Sequence, residues 1–186
     1  MHGALCAALV LAGRQGCTDW NDIPVRVLSP IDIRDLVGLG SHCGLFISTR
    51  IVAFAPDGQP AFWELARFGK RQLVGAQTRE GVAPVIHAIH ESTSNGLDAE
   101  TAWKVAVQGF AHEADLTNLG NLRYESNFGK LKLEALWGPA IVGGFEGALT
   151  IGVVTVNGSL HLLHTSHAPI PFLLEGMEQV LLTACE

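Results

Sequence analysis

Charge is scarce in this sequence. Lys, Arg, Asp and Glu make up only 16% of its 186 residues, and the formal net charge is −6. No basic patch forms, so no nucleic-acid partner is expected. The four cysteines, Cys6, Cys17, Cys43 and Cys185, are widely spaced and form no CxxC pair. They read as reduced thiols of a cytoplasmic protein. No hydrophobic run is long enough to span a bilayer. The apolar stretch Met1–Ala12 is too short for that, lacks a basic leader, and has Arg14 after it rather than before. It reads as a buried helix. A core helix starting at the first residue implies that something normally precedes it.

Recognisable catalytic signatures are also missing. There is no GxSxG, P-loop or HExxH, and no GxGxxG after a strand. Cys43 and His42 are neighbours on an extended segment, so they point to opposite faces and make no dyad. His112 and Asp115 are separated by a strand start. His87 and His90 share a helix face, but HxxH without a third ligand does not define a metal site, and none is expected. His161, His164 and His167 are expected at the surface of a hairpin strand. No repeat, linker or low-complexity segment is visible.

What is present is apolar and flexible: 48% hydrophobic residues and 21 glycines. That suits one packed α/β domain and excludes disorder. Residues 3–14 form a helix that is apolar on nearly every face, ended by Gly13 and Gly16. Residues 23–29 form a strand, and Pro30–Arg34 a turn into a short helical piece. Residues 44–54 are a strong β segment. Pro56-Asp57-Gly58 is a turn, and residues 60–79 and 82–92 are helical. Ser94-Asn95-Gly96 is another turn, and Asp98 caps a helix over 99–112. Residues 130–136 alternate as a half-exposed strand. Asn157-Gly158, between two apolar alternating runs, predicts a hairpin of 148–156 with 159–165. A helix over 172–184 closes the chain. The sum is a two-layer α/β sandwich with a mixed sheet covered by helices.

The stretch Asp115–Leu122 stands out. Thr117 and Asn118 are adjacent polar residues in an otherwise apolar segment, each needing a partner if buried. Gly120 removes a side chain where something can approach closely. Either this is a helix-to-strand loop with Asn118 in a turn, or it is a strand lining a tunnel.

Several blocks, in order, resemble the C-terminal half of the coenzyme A-dependent acyltransferases. That superfamily includes chloramphenicol acetyltransferase, alcohol acyltransferases and the condensation domains of nonribosomal peptide synthesis. The likeness is strongest to polyketide-associated acyltransferases such as the phthiocerol dimycocerosyl transferases. His2–Leu9 (HGALCAAL) is similar to the helix opening the family's second half. Pro24–Arg34 (PVRVLSPIDIR) looks like its P-V-D-L-R strand. Cys43–Arg50 (CGLFISTR) resembles the G-x-F-x-N-T strand, with Ser48 where Asn is common. Thr117–Gly120 (TNLG) is similar to S-N-L-G. Leu136–Pro139 (LWGP) falls where the family has a loop near the acceptor channel.

The resemblance covers nearly the whole chain, residues 1–186, as one C-terminal subdomain with a chloramphenicol acetyltransferase-like half fold. It implies transfer of an acyl group from a coenzyme A or carrier-protein thioester to a hydroxyl or amine, with no bound cofactor. In the family a histidine of an HHxxxDG motif in the N-terminal half is the general base. This chain has none, and His90–Gly96 departs from the motif in spacing and residues. No catalytic residue is therefore assigned, and the chain alone is expected to be inactive. Expected substrate-binding residues are Thr117, Asn118, Gly120, Trp137, Phe46 and His2. Trp137 and Phe46 serve equally well as core packing, and His2 equally well as a frayed terminus. Expected partners are an N-terminal acyltransferase half or a second copy, through an exposed apolar face. The alternative is a non-catalytic binding or assembly module of the same fold.

Overall fold

The computed structural model describes every residue except 57, 59, 95, 110 and 142–146. The Pro56-Asp57-Gly58 and Ser94-Asn95-Gly96 turns therefore lie partly outside the described residues. The elements run α1 (His2–Gly16), β1 (Val25–Asp32), α2 (Arg34–Val37), β2 (Ile47–Phe54) and α3 (Phe62–Val74). Then come α4 (Arg79–Ser94), α5 (Ala99–Gly109), β3 (Ala114–Asn121), β4 (Asn127–Phe128) and β5 (Leu131–Lys132). β6 (Leu149–Val156), β7 (Ser159–Ser166) and α6 (Leu173–Ala184) complete the chain.

The main sheet has the order β2-β1-β3-β6-β7. Its three central strands are parallel, and an antiparallel strand flanks them on each side. This is the mixed sheet of the expected α/β sandwich. Leu5, Cys6, Ala7, Ala8, Leu9 and Val10 of α1 are buried with Val25, Val27, Ala114, Leu116, Ile151 and Val153 of the sheet. Small residues let the helices approach. A side chain on Gly3 would stand 2.3 Å from the carbonyl oxygen of Ala66 in α3, and one on Gly176 of α6 would stand 3.1 Å from the Ala12 methyl. α1 is therefore the central helix, with α3 and α6 against it.

Several sequence expectations change. Gly13 does not end α1; it is buried in the helix, where a Cβ would meet the Trp20 ring at 2.2 Å. Pro30 is not in a turn. β1 continues through it to Asp32, with Pro30 opposite Thr49 of β2. Its missing N–H is tolerated because β1 pairs with β3 only through Val27 and Leu28. The helical stretch 60–79 breaks at Gly75, where a 3-10 turn intervenes. Thr78 then accepts the Gly81 N–H through its hydroxyl and starts α4. α5 is described over Ala99–Gly109, and residues 111 and 112 lie outside it, with Asp98 accepting the Thr101 N–H as its cap. Residues 130–136 supply only the two-residue β5, and Leu131 is 74% exposed. Leu133 and Ala135 are half-buried between exposed Lys132 and Glu134, as in a half-exposed strand, but among the described residues β5 pairs only with β4.

The hairpin forms as expected. Asn157 and Gly158 both have positive φ, 52° and 79°, between β6 and β7. His161 and His164 are not surface residues, however. Both are half-buried, each with its Nε2 buried and unbonded. Burial lowers the pKa of His164.

Candidate functional site

β1 and β3 separate just beyond their two paired residues. A cavity of about 450 Å³ opens there, at the carboxyl ends of the parallel strands and beside the N-terminus of α1. Such strand ends are where open α/β sheets bind ligands, and the volume suits a small ligand. Ser29 and Ile31 of β1, Asn118 and Gly120 of β3, His2 of α1, and Leu73 and Gln77 line it.

β3 is a strand through Thr117 and Asn118, and both readings of that stretch contribute. The Asn118 Oδ1 accepts the Gly120 N–H at 2.8 Å, a side-chain turn inside the strand end. Gly120 has φ +73°, a conformation that favours glycine. The β3–β6 register shifts between Asn118 and Asn121 in consequence. With Oδ1 so occupied, Asn118 keeps its Nδ2 donor for the cavity.

His2 is fixed rather than frayed. Its Nε2 lies 2.8 Å from the Ser29 hydroxyl. Burial lowers its pKa, so the imidazole is neutral near pH 7. Asp32 is engaged elsewhere. It takes Nη1 of Arg34 at 2.6 Å and the Arg34 N–H at 3.0 Å, while Arg34 also holds the His42 carbonyl. The carboxyl-end cavity thus offers a neutral imidazole and an amide donor.

The other sequence-chosen residues lie apart from these. Thr117, one residue from Asn118, faces the opposite side of the sheet. It lines a separate cavity of about 580 Å³ with Leu28, Ile47, His112, Asp115 and Val107. Trp137 stacks edge-on against His161, centroids 5.5 Å apart, and lines a cleft between β7 and α6. Phe46 packs against the core and lines none of the three. His2, Asn118 and Gly120 come together; Thr117, Trp137 and Phe46 do not join them.

Sequence reasoning passed over two features. Ser29 lies inside the Pro24–Arg34 block, but nothing in the sequence singles it out, and only its pairing with a residue 27 positions away reveals it. His112 and Asp115, set aside because a strand begins between them, form an ion pair at 2.9 Å, and Thr150 donates to the same carboxylate. His87 and His90 lie on the exposed side of α4. Among the described residues no three His, Cys, Asp or Glu side chains gather as a metal site, and no helix is long and apolar enough to cross a membrane.

No protein-family profile matches the sequence, and no curated protein matches it. Solved structures do. One is the epimerization domain from the third module of tyrocidine synthetase B, with TM-score 0.56 and 14% identity over 98% of this chain. A second is polyketide synthase associated protein 5 from Mycobacterium tuberculosis, at 0.56 and 15% over the same share. A third comes from work on condensation domain-mediated chain release from the enacyloxin polyketide synthase, at 0.56 and 10%. The chain spans only 41%, 45% and 34% of those three chains. At these identities the likeness establishes the fold. The chain has the chloramphenicol acetyltransferase-like fold of one half of a condensation-type domain.

Proposed function

We propose that this chain is the C-terminal subdomain, residues 1–186, of an acyltransferase. It moves an acyl group from a coenzyme A or carrier-protein thioester to a hydroxyl or amine. The observation that carries this reading is the cavity at the β1 and β3 carboxyl ends, in a fold shared over 98% of this chain with under half of an epimerization domain and of a polyketide synthase associated protein. There the Asn118 Nδ2 donates to the thioester carbonyl as negative charge builds on its oxygen. The family's HHxxxDG base is absent from the sequence, so transfer to an alcohol or amine requires a half that carries it. Apolar surface supports such a partner. α5 buries none of its residues, and Trp103, Val105 and Val107 on it are exposed.

The test is acyl transfer from a panel of acyl-coenzyme A donors, with the chain alone and mixed with an HHxxxDG-bearing half. Transfer to the acceptor in the mixture only supports the proposal. Asn118→Ala then lowers its rate about 100- to 1,000-fold. The second reading, a non-catalytic assembly module, draws on the same exposed α5. It is favoured if the mixture stays inactive while the chain self-associates in solution.

A further inference from the structure

His2 brings an imidazole to the carboxyl-end cavity. Ser29 is 1% exposed and too enclosed to attack a substrate. It is well placed to hold the His2 ring, with its hydroxyl 2.8 Å from Nε2. Cys6, on the next turn of α1, is buried beside that hydroxyl. Burial pushes the Cys6 thiol up to about 12, so it remains neutral. The ring can donate its Nε2–H to the Ser29 oxygen. Nδ1 of His2 is then left with its lone pair for a molecule in the cavity. The ring and Asn118 line that one cavity.

We propose that His2 is a general base with which this chain, without a partner half, slowly hydrolyses an acyl thioester held in the carboxyl-end cavity. The proposal rests on the reading of that cavity as a thioester site. Nδ1 of His2 takes a proton from water as the water oxygen attacks the thioester carbonyl. The Asn118 Nδ2 donates to the carbonyl oxygen. The C–S bond breaks, and the imidazolium gives its proton to the departing thiolate. One water is consumed; a carboxylic acid and a thiol are released. Ser29 is a positioning residue that fixes which ring nitrogen faces the substrate.

The test uses hexanoyl-coenzyme A and thiol release. The background is Cys43→Ser/Cys185→Ser, because those two exposed thiols can exchange with thioesters. Binding of the thioether analogue S-hexyl-coenzyme A is measured by calorimetry in parallel. His2→Gln is expected to lower turnover about 100-fold with analogue affinity unchanged. His87→Gln, on exposed α4, leaves turnover as it was. The charged side chains that line the cavity with His2 are Asp32 and Asp35. The rate is expected to rise with pH through a midpoint below 6.5, the ordinary histidine value, and Ser29→Ala is expected to move that midpoint. Analogue binding without hydrolysis, or hydrolysis unchanged in His2→Gln, overturns the base while sparing the cavity. No analogue binding overturns the cavity assignment and the base with it.

Discussion

Glu113 is the residue through which the register of the site is tested most directly. It precedes β3, and its backbone N–H donates to the Arg26 carbonyl at 3.0 Å. Its side chain completes the step. Oε2 accepts the Arg26 backbone N–H at 2.6 Å and Nε at 3.1 Å, while Oε1 accepts Nη2 at 2.6 Å. A carboxylate thus extends the short β1–β3 pairing by one residue, just below the point where the strands part to make the cavity. A hydrogen bond to a charged group contributes about 1.5–3 kcal/mol. Arg26 is 43% exposed, so solvent screens part of the ion pair. Glu113→Gln, which keeps the shape and one acceptor, is therefore expected to cost about 2 kcal/mol in urea unfolding at pH 7. The pH dependence fixes the cause. Burial opposes ionisation of Glu113, but the hydrogen bonds and charge of Arg26 outweigh it and hold the carboxyl below its ordinary 4.5. A depressed folded pKa stabilises above the unfolded value and loses that stabilisation as pH falls through the folded one. The gap between wild type and Glu113→Gln should therefore be full at neutral pH and vanish in acid. Carbon-13 titration of the Glu113 carboxyl checks the same point independently. A gap under about 0.5 kcal/mol at pH 7 refutes the reasoning. So does a carboxyl midpoint at or above 4.5.

Gly152→Ala places a methyl 2.1 Å from the Pro139 carbonyl oxygen. It should cost about 1–3 kcal/mol in denaturant unfolding and alter fluorescence from Trp137 on the displaced segment. Gly120→Ala meets nothing within 4 Å but must adopt φ +73°. It is expected to cost about 1–2 kcal/mol, and Gly120→Asn less, with circular dichroism spectra unchanged in both.

The elements that read well in the sequence were those whose pattern is local. The all-apolar α1, the Asn157-Gly158 hairpin and the Asp98 cap are each determined by residues within a few positions of one another. Misreadings arose where partners are distant. Pro30 looked like a turn because its place in a strand depends on Thr49 and on β3 having already diverged. Gly13 looked like a helix stop because the Trp20 ring that excludes a side chain from it belongs to a later turn of chain. Leu131 and Leu133 alternate as a strand would, but among the described residues their only partner is the two-residue β4, outside the main sheet. The site divides in the same way. Asn118 and Gly120 mark themselves by composition, whereas His2 and Ser29 acquire a relationship only when α1 lies across β1. Thr117 and Asn118 were one motif in sequence; the period of two in a strand puts them on opposite faces.

α1 emerges ahead of every strand and helix that encloses it. Leu173 and Met177 of α6, buried in the same core, follow only after the whole sheet. The order of synthesis therefore runs against the order of burial. A nascent chain carries an almost wholly apolar helix that cannot be fully covered until α6 has emerged. β1 must likewise wait for β3 across more than 80 intervening residues (Val27 with Ala114). Contacts that far apart make folding slow and leave sticky intermediates in the meantime. This domain cannot be completed piece by piece as it is translated. It folds late and as a whole, and its early α1 needs shielding until then.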